Sequence, residues 1–285
     1  MSDSEFHILA AADTCVAQHC ERERRFSESS IANLHLFRDT YKYRISPTVP
    51  CSLEGVSRDG YKIIVPLNDS VENMMEKALE GLSPYPLYYH EAATIQSQYG
   101  NSLEIFSDRD QADYIYLRDA ILNANGFSYR KSRQYISGLM SNYNIIVEPM
   151  DKWNRQYLDR FLADWLQHRD IGAFLDSKEC SAAFELVSRG LLKGFCVVIN
   201  GRLEAIMIYD WSVRNVTVAL FLKANRAVRG LTDFCYRALC QRTPEKEFVN
   251  LCQDLGIPGL RTKKLRMEPC ELLAKYQLRL TCRKL

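Results

Sequence analysis

Long apolar runs are missing from this 285-residue sequence. The strongest, residues 216–222, falls far short of the roughly 20 residues that span a bilayer, so no transmembrane segment is expected. The ten cysteines include no C-x-x-C pair, and the five histidines are scattered. His7, Cys15, His19 and Cys20 lie close together but match no common zinc spacing, so ordinary thiols on a helix are expected and no metal site. P-loop and dinucleotide fingerprints are absent, which excludes the two familiar glycine-rich phosphate cradles. An excess of one charge is also missing. Lys and Arg number 37 against 35 for Asp and Glu, so the molecule as a whole does not read as a nucleic-acid binder, although a local basic patch stays open. Residues 1–5 are acidic and lack a signal-peptide pattern. Cys196 and Cys235 sit in apolar runs, as buried reduced thiols do. Together these absences predict a soluble, cytoplasmic protein.

What is present is a succession of short periodic segments. Residues 14–29 read as a charged helix, 30–37 as a second helix and 41–45 as a strand. Ser57-Arg-Asp-Gly60 is a turn signal leading into a strand at 61–67, together a hairpin. Val71, Met74, Met75, Ala78, Leu79 and Leu82 recur at helical spacing, with Asp69 or Ser70 as cap. A strand at 86–89, a helix at 92–99 and a strand at 103–106 follow. Residues 129–143 form a helix whose first turns carry Arg130, Lys131 and Arg133. Cations there oppose the helix dipole, which makes anion binding a reading to set beside simple solvation.

From residue 144 the order becomes diagnostic. A strand (145–148) precedes two helices (151–168 and 181–192). Three strands follow at 194–199, 203–211 and 216–223, joined by Asn200-Gly201, a type I′ hairpin turn, and by Arg214-Asn215. A helix (230–240), a strand (247–251), a short helix (259–267) and a closing strand (275–282) complete the chain. This is the order of the N-acetyltransferase superfold, and the first half repeats its rhythm loosely. The expected fold is therefore α/β (α+β): two tandem GNAT-like domains of the acyl-CoA N-acyltransferase type, with mixed, mainly antiparallel sheets flanked by helices. The expected boundaries are 1–143, including a linker helix at about 113–143, and 144–285 for the catalytic domain.

The most informative stretch is Phe248-Val-Asn-Leu-Cys-Gln-Asp-Leu-Gly-Ile-Pro-Gly-Leu-Arg-Thr-Lys-Lys-Leu-Arg266. An apolar strand start delivers Asn250, Gln253 and Asp254 to a glycine-proline turn, with cations beyond. Acyl transfer needs a proton acceptor for the nucleophile, a donor for the carbonyl oxygen and partners for the phosphates of the acyl carrier. Asp254 is the candidate for orienting or deprotonating an acceptor; the structural alternative is that it caps the turn. Asn250 and Gln253 stand beside it. Arg261 and Lys264 share a helical face and form one candidate anion site, or Arg261 pairs with Asp254. Lys263 is expected to be solvated. The usual coenzyme A loop is poorly matched by Arg226-Ala-Val-Arg-Gly-Leu231, where only Gly230 is present. Cys252 as a nucleophile and His168 as more than a helix-end cation are weaker readings.

Several patches resemble one family, the soluble C-terminal domain of phosphatidylglycerol lysyltransferases and its free-standing relatives. Asn250-Leu-Cys-Gln-Asp-Leu-Gly-Ile-Pro-Gly-Leu-Arg261, with Lys264 and Pro269, resembles its most specific signature. Asp113-Tyr-Ile-Tyr116, Gly126 and Tyr129-Arg-Lys-Ser-Arg133 resemble its central linker helix, and Ile31-Ala-Asn-Leu-His-Leu-Phe-Arg38 its early helix. Lys223 and Gly230 fit its lysine and glycine around the fourth strand of the catalytic half. The resemblance implies a tandem acyltransferase fold in a family that includes transferases of amino acids from aminoacyl-tRNA to lipids or peptides. Leu251 and Cys252 depart from it, since relatives often carry charged residues there.

Three functions follow as expectations. The first is transfer from aminoacyl-tRNA to an amine or hydroxyl acceptor, with Arg130, Lys131 and Arg133 at the tRNA end and a possible peripheral contact with a lipid. The second is acyl-CoA-dependent N-acyltransfer. The third is a non-catalytic binding module on a degenerate fold. No firm cofactor is implied, and the oligomeric state stays open.

Overall fold

A computed structural model describes residues 8, 24–67, 75–126, 129–167 and 176–281. Most of the helix expected at 14–29, the His7–Cys15–His19–Cys20 group, His168 and the start of the helix at 71–82 lie outside the described residues. In chain order come helices α1 (Ile31–Leu36) and α2 (Arg38–Tyr41), then strands β1 (Arg44–Ile45), β2 (Ser52–Val56) and β3 (Lys62–Pro66). Helix α3 (Met75–Leu79), strand β4 (Ser83–Pro84), helix α4 (Tyr89–Tyr99) and strand β5 (Leu103–Ser107) follow. The middle of the chain holds β6 (Asp113–Leu117), α5 (Arg118–Asn123), α6 (Arg130–Asn142), β7 (Ile145–Pro149), α7 (Arg155–Gln167) and α8 (Ser177–Ser188). The rest is β8 (Lys193–Ile199), β9 (Arg202–Asp210), β10 (Val216–Ala224), α9 (Leu231–Arg242), β11 (Phe248–Asn250), α10 (Pro258–Arg266), β12 (Glu271–Leu273) and β13 (Tyr276–Leu280).

These elements form two compact units, one of residues 1–113, 253–258 and 272–285, the other of residues 114–252 and 259–271. The expected boundary at 143/144 falls inside the second unit.

The second unit is built on a sheet of order β6-β11-β10-β9-β8-β7. Its strands pair antiparallel except β10 with β11. Asn200 and Gly201 take positive φ, as the β8–β9 turn requires. Phe195, Val197, Met207 and Tyr209 from the sheet pack with Leu231, Cys235 and Leu239 of α9. Each such side chain contributes about 1.5–3 kcal/mol by leaving water. In the first unit, β1-β2-β3-β4 form one sheet and β13-β5 a second. Leu34 packs on Leu53, Ile63 and Val65, while Leu87, Ala92, Ile95 and Leu103 enclose Leu278. The mixed, mainly antiparallel α/β architecture matches the expected fold.

Four expectations are corrected. The linker helix does not begin at 113: residues 113–117 are strand β6, and helices occupy only 118–123 and 130–142. Tyr114, Ile115 and Tyr116 are all fully buried, a pattern of aromatic and β-branched residues covered on both faces that favours a strand. The expected strand at 86–89 is reduced to one bridge between Leu87 and Tyr276, because α4 already starts at Tyr89. The closing strand pairs with β5 in the first unit, not with the sheet of the second unit. Among the described residues six cysteines are thiols as expected, whereas Cys51 is disulfide-bonded.

Candidate functional site

The signature divides between the units. In the second, β11 ends at Asn250, whose side chain is fully buried and whose Oδ1 accepts the Cys252 N–H at 2.6 Å. Cys252 has φ +58°, a left-handed conformation that costs a non-glycine residue roughly 1–2 kcal/mol. Lys264 holds the same turn from α10. It is buried, its Nζ donates to the carbonyls of Leu251 (2.8 Å) and Cys252 (3.2 Å), and it lies 5.4 Å from the centre of the Tyr114 ring. Asn250 and Lys264 thus meet at one peptide, where the ammonium serves carbonyls. Arg261 stands half-buried on the first turn of α10. Lys263, expected to be solvated, pairs with Asp233 at 2.5 Å.

The other cations of this unit are placed apart from that turn. Lys223, on β10, sets its ammonium 2.7 Å from both carboxylate oxygens of Asp176 and 4.8 Å from the Trp165 ring. Gly230 begins α9 with φ +88°, and a Cβ there would lie 2.8 Å from the carbonyl of Tyr135. Only glycine satisfies both demands. Arg229 stacks on the same tyrosine at 4.1 Å. Arg133 donates to the carbonyls of Ala124 and Gly126, closing the end of α5. Arg130 and Lys131 are exposed, with no hydrogen-bond or ion-pair partner among the described residues.

In the first unit, Asp254 is fully buried. Its Oδ1 accepts the Gly256 N–H at 2.8 Å and its Oδ2 pairs with Arg109 at 3.2 Å. The turn-capping role is therefore realised. Leu255 (φ +54°) and Gly256 (φ +75°) continue the left-handed path, and the Leu255 N–H reaches the carbonyl of Asp110 at 3.0 Å. At Leu255, though not at glycine, such strain costs about 1–3 kcal/mol, and it concentrates at functional loops. Gln253 Nε2 donates to Ser27 Oγ at 2.7 Å.

Ser27 joins that loop to a buried ionic cluster. Its N–H donates to Asp113 at 2.6 Å, and the Lys275 ammonium donates to its hydroxyl at 2.9 Å. Lys275 also lies 2.7 Å from Glu28 and 3.0 Å from Asp113, with its side chain wholly inaccessible. Burial pushes the Glu28 carboxyl above its ordinary value despite Lys275. Burial opposes the Lys275 ammonium, but Asp113 and Glu28 outweigh it and hold that group above its ordinary value. A pocket in this unit, of about 30 Å³, is walled by Glu28 and Lys275 together with Tyr41, Tyr43, Tyr85 and Gln111. Ser27, Glu28, Arg109, Asp113 and Lys275 were not among the sequence candidates. Each is an ordinary polar residue in a short segment, and only the fold assembles them.

The comparisons agree on the class. The chain has a GNAT-type acyltransferase fold, seen also in FemX at 10% identity and a TM-score of 0.58, over 99% of this chain and 97% of that one. It belongs to the phosphatidylglycerol lysyltransferase C-terminal family, whose model matches residues 21–279. A conserved protein of unknown function from Bacteroides thetaiotaomicron is 21% identical with a TM-score of 0.81, covering 96% of this chain and 97% of its own. The C-terminal domain of a putative lysylphosphatidylglycerol synthetase from Agrobacterium fabrum is 14% identical with a TM-score of 0.65, covering 95% and 91%. No curated protein sequence matches. Among the described residues no helix is long and apolar enough to cross a membrane.

Proposed function

We propose that this protein transfers an aminoacyl group from aminoacyl-tRNA to an amine or hydroxyl acceptor. The family match over residues 21–279, which takes in the whole signature, carries this reading. The geometry supports acyl transfer. β11 pairs with β10 only over residues 216–218, a bulge follows at Ala219–Phe221, and β10 runs on to Ala224. A strand edge that parts from its neighbour in this way is suited to offering a backbone N–H to a carbonyl oxygen as charge develops on it. The exposed Arg130 and Lys131 suit a phosphodiester chain.

The test is transfer of labelled amino acid from charged tRNA into an acid-stable or lipid-extractable product. The purified protein is expected to transfer, and Arg130→Gln/Lys131→Gln is expected to lose at least tenfold in kcat/KM with an unchanged melting temperature. Folded wild-type protein that transfers from no charged tRNA overturns the proposal. One observation favours acyl-CoA as the donor instead: α9 starts at Gly230 without a side-chain cap among the described residues, and although the Leu231 N–H donates to the Val228 carbonyl at 3.3 Å, the N–H groups after it on the first turn suit a pyrophosphate. Melting-temperature measurements with a coenzyme A series separate the two donors.

A further inference from the structure

An open cleft lies wholly within the second unit and shares no residue with the signature. Its volume of about 440 Å³ falls in the range, about 300–1,000 Å³, of pockets that take a small organic molecule. Helix α6 supplies Arg133, Ile136, Ser137, Met140 and Ser141, and α9 supplies Arg237. Arg133, Ser137 and Ser141 stand four residues apart, with Ile136 and Met140 between them, so one face of α6 forms the wall. Ile136 is a buried floor. Met140 keeps 59% of its surface in water, a flexible thioether free to cover a carbon chain.

The charge of the cleft has one sign. Two guanidinium groups line it and no carboxylate does. Arg133 is engaged, since it donates to the carbonyls of Ala124 and Gly126. Those carbonyls follow the negative end of α5, so Arg133 masks the part of the wall that would repel an anion. Arg237 is not engaged. Its Nε is buried without a hydrogen-bond partner, and the guanidinium has no ion-pair partner among the described residues. Native structures seldom leave a buried donor in that state unless a bound group completes it. The exposed hydroxyls of Ser137 and Ser141 add donors beside it.

One unpaired cation calls for one negative charge. A phosphate monoester carries about −1.5 to −2 at neutral pH and needs more than Arg237 offers. A zwitterion needs an acidic partner for its ammonium, and no acid lines the cleft. We infer that this cleft binds a small organic monocarboxylate, its charge held by Arg237, its oxygens by the serine hydroxyls of α6 and its carbon chain laid over Ile136 and Met140. That chemistry does not depend on which acyl donor the protein uses.

The test is NMR of the full chain with methyl-labelled methionine, titrated with hexanoate at neutral pH, the Met140 signal being assigned by its loss in Met140→Leu. Hexanoate is expected to shift that signal saturably. Hexanamide, the same chain without the charge, should bind about tenfold more weakly, the worth of one charge-assisted hydrogen bond. Arg237→Met should weaken hexanoate by the same factor, with an unchanged melting temperature, because its guanidinium has no partner to lose. Acetate, which keeps the charge and loses the chain, should bind about fivefold more weakly than hexanoate. A Met140 signal that hexanoate does not shift saturably, hexanamide binding as tightly as hexanoate, or undiminished binding by folded Arg237→Met overturns the inference. The first two results need only wild-type protein. Inorganic phosphate binding as tightly as hexanoate would also overturn it, by showing a bare anion site.

Discussion

Each unit buries a lysine on its sheet or beside it, and the two are held differently. Lys275 contacts Asp113, Glu28 and Ser27, and its side chain and that of Asp113 are both fully inaccessible. Lys223 has one carboxylate, Asp176, whose side chain keeps about a third of its exposure, and the Trp165 ring. The difference lies in what remains when the cation is removed. In the second unit Asp176 turns back to water. In the first, two carboxylates are left without it in a dry interior. Lys275→Met is therefore expected to cost about 3–5 kcal/mol in urea unfolding, the range for breaking a buried ion pair. Lys223→Met should cost about 1–2 kcal/mol, as for a partly solvated charge-assisted hydrogen bond. The Lys275→Met loss should shrink as pH falls, because Glu28, whose carboxyl burial already holds above its ordinary value, takes up a proton. Equal losses in the two variants, independent of pH, would break the comparison.

Acid sharpens the contrast from another side. His35, buried on α1 in the first unit, is pushed down to about 4 by burial and by Arg38, with Asp39 opposing. The unfolded chain binds its proton near pH 6.5, so between about 6.5 and 4 the unfolded state holds more protons. Stability therefore falls as pH drops through that window. Its full depth is about 3 kcal/mol, at 1.36 kcal/mol per pH unit. Denaturation midpoints measured at pH 7 and pH 4.5 should differ accordingly, and His35→Gln should flatten the difference. A slope unchanged in His35→Gln would move the acid sensitivity to another group. The second unit has groups that respond to alkali: burial pushes Cys196 up to about 12 and Tyr129 up to about 12. Their contribution is lost only as pH rises past the ordinary thiol and phenol range.

The same contrast explains what was legible beforehand. In the second unit β8, β9 and β10 follow one another through short turns, and Asn200-Gly201 announces its hairpin by composition alone. Local pairing leaves local signals. The first unit gathers Ser27, Asp113, Gln253 and Lys275 from segments separated by up to 248 residues, and no periodicity links them. β13 and β5 were both recognisable as strands, but their pairing with each other was not, since an alternating segment does not name its neighbour. The 113–117 run was misplaced into a helix by its likeness to a family pattern, although its buried tyrosines and isoleucine are strand-like. At the signature, Gln253 and Asp254 were legible as special residues. The turn-capping use of Asp254 was among the readings, but its pairing with Arg109 and the bond of Gln253 to Ser27 were not, because those partners lie more than 140 residues earlier.

The smallest expected effect separates two cations on one helix. Arg133 and Arg130 both belong to the first turn of α6, where positive charge opposes the dipole. Arg133 offsets that placement by donating to the carbonyls of Ala124 and Gly126, at the frayed end of α5. Ala124 there has φ +48°, so the turn it closes is itself strained. Arg133→Gln should therefore cost about 1 kcal/mol, the worth of a hydrogen bond lost at a helix end. Arg130 has no such contact among the described residues, and removing its charge relieves the dipole, so Arg130→Gln should leave stability within about 0.5 kcal/mol or raise it slightly. Paired urea curves measure this directly. Destabilisation by both substitutions would mean that Arg130 is structural. A neutral Arg130→Gln with weakened anion binding, read from the salt dependence of tRNA affinity, would mark it as a residue kept at a cost to the helix because it meets phosphate.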